Sequence, residues 1–199
     1  RVSYAYAGDM NGDNVSNNDL IYVPNSASEL NFQSYSVNYV VTDASGNTST
    51  VTKTFTVDEQ VAAFDAFIDQ DEYLSTRRGR YAERNGGLFP WLHRFDLSIM
   101  QEVFLRTGRE DKDRNSLQFR VDILNFGNLL NDSWGVGKTL LTNRVLSYRS
   151  LNADGEPVYR FGTQTINGVP ELQQNTFINS TNVSNVWQAQ FGLRYTFGR

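Results

Sequence analysis

The stretch Trp187-Gln-Ala-Gln-Phe-Gly-Leu-Arg-Tyr-Thr-Phe197 decides the predicted fold. Polar residues and one glycine alternate in it with apolar residues, which occupy every second position: Trp187, Ala189, Phe191, Leu193, Tyr195 and Phe197. Because successive side chains of a β-strand point to opposite faces, this alternation predicts a strand with one wholly apolar face.

The length of this strand favours a membrane crossing. Its eleven residues, at about 3.3 Å each and tilted by roughly 40°, cover about 25 to 30 Å, the height of the lipid-facing band of an outer-membrane barrel. Aromatic rings stand at both ends, where they prefer the two water interfaces. An exposed strand of a soluble sandwich also alternates, but ordinary strands average only about 5 to 6 residues. The predicted lipid-facing and girdle residues are Trp187, Phe191, Leu193, Tyr195 and Phe197.

Composition narrows the classes of protein. No run of about 18 apolar residues occurs in the 199 residues, so a membrane crossing has to be made by strands. The net charge of −4 offers no footprint for nucleic acid. The absence of cysteine excludes disulfides, thiolate metal sites and cysteine nucleophiles, and it suits a bacterial envelope protein. A start at Arg1 without a signal peptide predicts a piece of a longer precursor.

Alternating patterns predict five further strands besides the terminal one. Segment 139–151 changes parity between Leu141 and Leu146, so either a bulge intervenes or its boundary is wrong. The segments at 94–106 and 117–123 predict a hairpin closed by a charged turn at 107–116. The six predicted strands are 2–6, 94–106, 117–123, 139–151, 158–166 and 187–197.

The connections between these strands alternate in length. Segments 107–116 and 153–156 are short, whereas 8–92, 126–138 and 167–185 are long. Outer-membrane barrels have short periplasmic turns and long external loops, so the alternation predicts six consecutive wall strands with Phe197 on the periplasmic side. A loop as long as 8–92 counts against a soluble sandwich.

The long connection 8–92 has predicted structure of its own. Alternation on both sides of a turn at 43–47 predicts a hairpin over 35–57. The capping-box spacing of Thr56 and Glu59, ahead of an apolar pattern, predicts a short helix over 59–69. The hairpin is similar to the closing strands of bacterial immunoglobulin-like modules, but a complete module needs about seven strands.

One segment of this connection has the spacing of a calcium loop. An oxygen ligand recurs at every second residue, with one position supplying a backbone carbonyl. Against calcium, Asn14 replaces the usual glycine and Leu20 replaces a bidentate glutamate, and Asp, Asn and Gly are also ordinary turn residues. A calcium site and a plain polar turn therefore both remain open. The predicted ligands are Asp9, Asn11, Asp13, Val15, Asn17 and Asp19.

The other charged residues give no catalytic constellation. His93 is the single histidine, which excludes a paired-histidine zinc site. No phosphate-binding glycine loop or nucleophile motif occurs, so we expect no enzymatic activity and no catalytic residue. A basic cluster is either a solvated network or an external patch that contacts anions. It consists of Arg77, Arg78, Arg80 and Arg84.

Besides the terminal aromatic strand, five motifs stand out in the sequence: Gly8-Asp-Met-Asn-Gly-Asp-Asn-Val-Ser-Asn-Asn-Asp-Leu-Ile-Tyr-Val-Pro24, Arg78-Gly-Arg-Tyr-Ala-Glu-Arg-Asn85, His93-Arg-Phe-Asp96, Asp122-Ile-Leu-Asn-Phe-Gly-Asn-Leu-Leu-Asn131 and Trp134-Gly135. Together these motifs span nearly the whole chain, and they resemble the C-terminal end of a TonB-dependent outer-membrane receptor, of the branch with an upstream carboxypeptidase-regulatory-like domain. The chain departs from that pattern in the hairpin insertion within 32–57 and in the Gly198-Arg199 extension.

The resemblance implies an all-β chain that supplies about six antiparallel strands of a larger, plugged transmembrane β-barrel with a long external loop at 8–92. It implies energy-coupled nutrient uptake across the bacterial outer membrane. The implied partners are outer-membrane lipid, the plug domain and remaining strands of the same protein, the inner-membrane TonB complex and a surface lipoprotein lid, but no nucleic acid. The alternative from the residues is a soluble or surface-anchored, calcium-dependent β-sandwich adhesin.

Seven charged residues fall on the face opposite the predicted lipid contacts, and we expect all of them to face the barrel lumen. They predict either a hydrated barrel wall or contacts to the plug. These residues are Arg94, Asp96, Glu102, Arg106, Arg120, Asp122 and Arg194.

Overall fold

A computed structural model describes residues 1–106 and 114–197, including all side chains except those of Arg106 and Arg114. Most of the predicted turn at 107–116, the Arg106 side chain and the Gly198-Arg199 extension lie outside the described residues. The chain is rich in strands and has few helices, in agreement with the all-β prediction. Among the described residues, no helix has the length and apolar character needed to cross a membrane.

The regular elements follow one another along the chain as mostly short strands. The two α-helices of the described chain are α1 (Val57–Gln70) and α2 (Phe126–Leu130). The strands are β1 (Tyr6–Ala7), β2 (Tyr22–Val23), β3 (Asn31–Phe32), β4 (Tyr35–Thr42), β5 (Thr48–Phe55), β6 (Arg80–Tyr81), β7 (Leu97–Arg106), β8 (Arg114–Leu124), β9 (Lys138–Leu140), β10 (Leu146–Leu151), β11 (Pro157–Phe161), β12 (Thr163–Ile166), β13 (Val169–Leu172), β14 (Phe177–Asn179) and β15 (Gln188–Thr196).

The chain divides into two compact units. The first unit consists of Arg1–Phe89 and Leu140–Ile178, and the second of Pro90–Thr139 and Asn179–Arg199. Each unit is therefore built from two separate segments of the sequence. The patterns in the sequence predicted one barrel wall with loops and gave no indication of this division.

The first unit has a hydrophobic core between helix α1 and a four-stranded sheet of order β1-β10-β11-β3. Thr56 and Glu59 form the predicted capping box, with the Thr56 N–H 2.8 Å from Glu59 Oε2. Phe64 and Phe67 are fully buried on the helix and pack on the Phe161 ring at centroid distances of 5.2 and 5.7 Å. The predicted helix over 59–69 is thus present, and it begins two residues earlier.

One buried glutamine joins this helix to the sheet. Gln60 Nε2 donates to the carbonyls of Gln33 at 3.0 Å and Thr56 at 3.1 Å. Its Oε1 accepts from the N–H of Phe161 at 3.1 Å. The amide is therefore satisfied on both sides, as a fully buried polar group must be.

The predicted hairpin is also present, as β4 and β5, and it pairs in register from Tyr35 with Phe55 to Thr42 with Thr48.

Three tyrosines of the core predict an alkaline transition of the first unit. Burial raises the pKa of Tyr4, Tyr6 and Tyr159 above the ordinary value of 10.0. The folded unit then holds phenol protons that the unfolded chain releases near pH 10, so this contribution to stability is complete below pH 10 and is lost as the pH rises beyond it. We expect phenolate absorbance near 295 nm from these residues to appear together with loss of tertiary circular dichroism. Ionisation of all three before any unfolding would contradict the expectation.

The second unit contains a three-stranded antiparallel sheet of order β15-β8-β7. Strands β7 and β8 form the predicted hairpin, with Leu97 paired with Ile123 and Val103 with Leu117. Strand β15 pairs with β8 over its whole length, from Gln188 opposite Leu124 to Thr196 opposite Ser116. The terminal strand is therefore present as predicted, whereas the sheet is open rather than closed.

The prediction of six consecutive wall strands is wrong for three of them. Strand β8 pairs directly with β15, so segments 139–151 and 158–166 do not lie between them. Strands β10 and β11 of those segments join β1, from segment 2–6, in the first unit. Their alternation has a different cause, because Leu146 and Phe161 are buried against the protein core around α1. Their apolar face is covered by the chain itself.

The parity change in segment 139–151 has two sources. The segment is not one strand, because β9 ends at Leu140 and β10 begins at Leu146. A register shift also occurs within β10, between Tyr148 and Ser150. The predicted boundary was therefore wrong, and the bulge lies beyond the position at which the parity changes.

Candidate functional site

The candidate functional site is the apolar face of the sheet in the second unit. Three strands contribute to it in register, and their side chains form four rows across the sheet. Gln101 is the single polar member of these rows. The rows are Leu97-Ile123-Ala189, Ile99-Val121-Phe191, Gln101-Phe119-Leu193 and Val103-Leu117-Tyr195.

This apolar sheet face is exposed. Phe191 is 77% exposed and Leu193 67%, although both lie in the middle of long strands. Exposed apolar surface of this extent and continuity marks a surface that meets another apolar phase, either lipid or a protein. All five predicted lipid-facing and girdle residues belong to this side of β15 and its ends: Trp187, Phe191, Leu193, Tyr195 and Phe197.

The opposite face of the same sheet is predominantly polar. Arg120 Nε lies 2.7 Å from Asp122 Oδ2, and Ser98 Oγ donates to the other oxygen of that carboxylate at 2.6 Å. Glu102 and Arg194 share one row, with Gln118 between them. Met100 and Phe104 are the apolar members of the β7 side of this face, so the two faces differ in their predominant chemistry.

The structure brings together four of the seven charged residues that were assigned to this wall: Glu102, Arg120, Asp122 and Arg194. Arg94 and Asp96 instead precede β7 and bind the connecting segments, and the Arg106 side chain lies outside the described residues. None of the described contacts tests whether these residues line a lumen or touch a plug.

Asn125 holds the connecting segments at one end of the sheet. It follows β8 in the left-handed conformation, with φ of 51°, and is 1% exposed. Its N–H donates to Asp96 Oδ1 at 2.7 Å, and its Nδ2 donates to the carbonyls of Gly135 at 3.2 Å and Asn185 at 3.0 Å. One residue thus ties the entry to β7, the exit from β8 and the entry to β15.

Two further asparagines complete this asparagine knot, which we define as Asn125, Asn128 and Asn185. Asn128 Oδ1 accepts from the N–H of Trp187 at 3.2 Å. Asn185 Oδ1 accepts from the N–H of Gly137 at 3.0 Å and from Arg94 at 3.4 Å. The knot therefore fixes the main chain of Trp187, a predicted girdle residue, relative to the sheet.

The segment from Asp122 to Asn131 contributes to the resemblance, but the sequence patterns did not predict this role. One local signal for Asn125 was present in the sequence. Asparagine tolerates positive φ better than other residues with a side chain, and Asn125 stands directly at the end of an alternating strand.

The Asp9 loop forms a network of hydrogen bonds within itself. Asp9 accepts from the N–H groups of Gly12 and Asn14, each at 2.8 Å, and Asp13 accepts from that of Val15 at 2.8 Å. Asp19 accepts from the N–H of Met10 at 2.8 Å. Hydrogen bonds lower the pKa of Asp13, the Val15 N–H being the largest cause.

The predicted calcium ligands therefore all lie in one short loop: Asp9, Asn11, Asp13, Val15, Asn17 and Asp19. No group of three or more acidic, histidine or cysteine side chains is arranged to hold a metal among the residues that the structure describes. Calcium binding remains a prediction, which an isotherm on the full-length protein would test.

The basic cluster divides into paired and unpaired arginines. Arg78 contacts Asp65 and Asp69 at 2.7 Å each, and Arg77 contacts Glu83 at 2.8 Å. Arg84 has no acidic partner within the described parts of the chain. The solvated network that was one of the two predictions is present for Arg77 and Arg78, whereas Arg84 is free to contact another molecule.

His93 is exposed and takes no part in the asparagine knot or in the apolar sheet face.

No family model, curated protein sequence or solved structure matches the chain.

Proposed function

We propose that the chain is the C-terminal part of a TonB-dependent outer-membrane receptor, with the sheet of the second unit forming part of the barrel wall. The observation that carries the proposal is the exposed apolar face on three long strands in register. In this proposal the face meets lipid, and the polar face with Arg120 and Asp122 meets the lumen or the plug.

The dimensions of the sheet support the proposal. Strand β8 has 11 residues, which at about 3.3 Å each and a tilt of about 40° span roughly 28 Å, close to the apolar band of a barrel. Strands β7 and β15 each have one edge without a partner strand in the described chain. In lipid such an edge has to be paired, so the proposal requires further strands from the same protein.

The connectivity of the sheet is consistent with one orientation in a barrel. Because the three strands are antiparallel neighbours, the chain enters β7, leaves β8 and enters β15 at one end of the sheet. The connection from β8 to β15 is long, whereas β7 and β8 follow each other closely in the sequence. Short periplasmic turns and long external loops are typical of outer-membrane barrels, so in this proposal the end with the long connection faces outside.

The mechanism follows from the resemblance to TonB-dependent receptors. A nutrient binds on the outside and is released inward when an inner-membrane complex acts on the plug. In this proposal the wall supplies the passage, and the long connections supply an external binding surface. In this proposal the residues that contact the transported nutrient lie on the polar face of the sheet.

A cysteine-accessibility experiment tests the proposal, and the chain suits it because it contains no cysteine of its own. A nitroxide spin label is attached to a single introduced cysteine, and its collisions with oxygen and with a water-soluble nickel chelate are measured. We expect labels at Phe191→Cys and Leu193→Cys to be reached by oxygen in the bilayer and not by the nickel chelate. At the matched positions, Gln190→Cys and Arg194→Cys, we expect the reverse.

The pattern should alternate with a period of two residues, because the two sets lie on opposite faces of β15. Equal access of the nickel chelate to both sets would contradict the membrane position. So would a full-length protein that stays folded in the aqueous phase without detergent, which would favour the soluble adhesin instead.

A further inference from the structure

A polar pocket in the first unit has no role in the proposed barrel. Its volume is about 320 Å³. Ala5 and Leu20 both line it, and an antiparallel bridge joins their main chains. The remaining lining residues are all polar or charged: Ser3, Asn17, Asn18, Arg84, Asn85 and Asn143.

The backbone around this pocket is fixed by hydrogen bonds. Asn17 has φ of 69° and Asn85 has φ of 59°. The N–H of Asn17 donates to the Gly8 carbonyl at 3.0 Å, and the N–H of Asn85 donates to Ser3 Oγ at 2.7 Å. Because these bonds hold both residues in the left-handed region, the pocket needs little rearrangement to receive a ligand.

The asparagine side chains retain hydrogen-bonding capacity. Asn143 uses its Nδ2 on the Ser3 carbonyl at 2.7 Å, which leaves its Oδ1 without a partner among the described residues. Asn85 accepts from Ser3 Oγ at 3.5 Å, and its two amide hydrogens are free of described partners. The pocket therefore offers both donors and acceptors.

Arg84 gives the pocket its charge. Two of its neighbours in the basic cluster are paired with acidic residues, Arg77 with Glu83 and Arg78 with Asp65 and Asp69, and the third, Arg80, is exposed and lies outside the pocket. Arg84 itself has no such partner within the described residues, and its guanidinium presents a planar fork that matches a carboxylate.

We propose that this Arg84 pocket binds a small carboxylate-bearing ligand, with Arg84 on the carboxylate and the Asn85 and Asn143 amides on adjacent polar groups. A peptide C-terminus and a uronic acid both present this chemistry. The proposal does not depend on a membrane, since it concerns the first unit alone, and its test is separate from the accessibility experiment.

The test uses isothermal titration of the purified full-length protein with two pairs of probes. The first pair is trialanine and its C-terminal amide, and the second is glucuronate and glucose. Within each pair only the carboxylate differs. We expect at least one carboxylate probe to bind, and its neutral counterpart to bind about tenfold more weakly, because hydrogen bonds to charged groups are the stronger ones.

Variants locate the binding. Arg84→Gln should weaken the carboxylate probe by about tenfold and remove its preference over the neutral probe. Asn85→Asp keeps a residue that tolerates positive φ and adds a like charge, so it should abolish binding. Arg80→Gln is the matched control, an exposed arginine outside the pocket, and should leave binding unchanged.

The outcomes separate the sources of the ligand. Binding of trialanine alone assigns a peptide, binding of glucuronate alone assigns an acidic sugar, and binding of both assigns recognition of the carboxylate itself. If neither carboxylate probe binds at millimolar concentration, the proposal is overturned. The proposal is also overturned if Arg84→Gln binds the carboxylate probe as tightly as the unsubstituted protein does. For this comparison the variant has to unfold at the same temperature as the unsubstituted protein.

Discussion

Phe191→Arg is expected to destabilise the folded full-length protein in lipid by about 2–4 kcal/mol, the cost of a cationic side chain near the bilayer midplane on the lipid face that we propose. Phe191 lies in a central row of the apolar sheet face, between one wholly apolar row and the row in which Gln101 is the polar member, and it is 77% exposed. A charge there has no described partner on its own face. Urea titration in phosphatidylcholine vesicles, followed by the heat-modifiable migration of the barrel, measures the change.

The matched control is Gln190→Arg, one residue earlier on the same strand. It places the same side chain on the polar face, in the row that contains Asp122, so we expect a change below about 1 kcal/mol. Phe191→Ala separates loss of the ring from gain of the charge. If both arginine variants cost the same, the two faces meet the same medium, and the proposed barrel wall is wrong.

Gly135→Ala is expected to cost about 3 kcal/mol or more, because it combines left-handed strain with an overlap in a packed site. Gly135 has φ of 65°, and a Cβ added there would lie 1.9 Å from Asn125 Oδ1. Asn125 cannot move away without losing its hydrogen bonds to the carbonyls of Gly135 and Asn185. The midpoint of urea unfolding in lipid measures the effect, together with the yield of folded protein.

Two variants show the origin of the cost. Gly155 also has a positive φ, of 80°, but a Cβ added there would have no atom within 4 Å. Gly155→Ala should therefore cost only the backbone strain of about 1 kcal/mol. In an Asn125→Gly background the overlap is removed. Gly135→Ala should then cost about as little as Gly155→Ala does in the natural sequence. Additive effects of Asn125→Gly and Gly135→Ala would contradict the overlap as the cause.

The local elements could be predicted from the sequence because their signals are local. The capping box at Thr56 and Glu59 marks the start of α1, and alternation on both sides of a short turn marks the two hairpins. The terminal strand is correct for the same reason. In each case the pattern and the turn chemistry specify the same structure.

The partners of the strands could not be predicted in this way. Alternation shows that one face of a strand is covered by an apolar phase, and it does not show whether that phase is lipid or protein. Phe191 and Phe161 illustrate the ambiguity, since both lie in alternating strands, yet the first is exposed and the second is buried against α1. Only the long-range pairing of β8 with β15 separates the two cases.

The candidate site was predictable in part. The apolar face of β15 follows directly from the alternation, because a strand has two faces. The asparagine knot and the Arg84 pocket depend on residues far apart in sequence, such as Asn125 with Asn185 and Ser3 with Asn143. No local pattern contains such pairs.

The interleaving of the two units has a consequence for the order of folding. Strands β7 and β8 are neighbours in sequence and can pair early, whereas β15 reaches β8 only after residues 125–187 have been synthesised. The first unit is also incomplete until its second segment, 140–178, has emerged. Before β15 is made, the chain from β7 onward holds only two of the three described strands of the apolar sheet face, and a two-stranded ribbon is marginally stable alone. Pairing of β15 with β8 therefore has to wait for the long connection between them, and the apolar surface of β7 and β8 is open to aggregation until then.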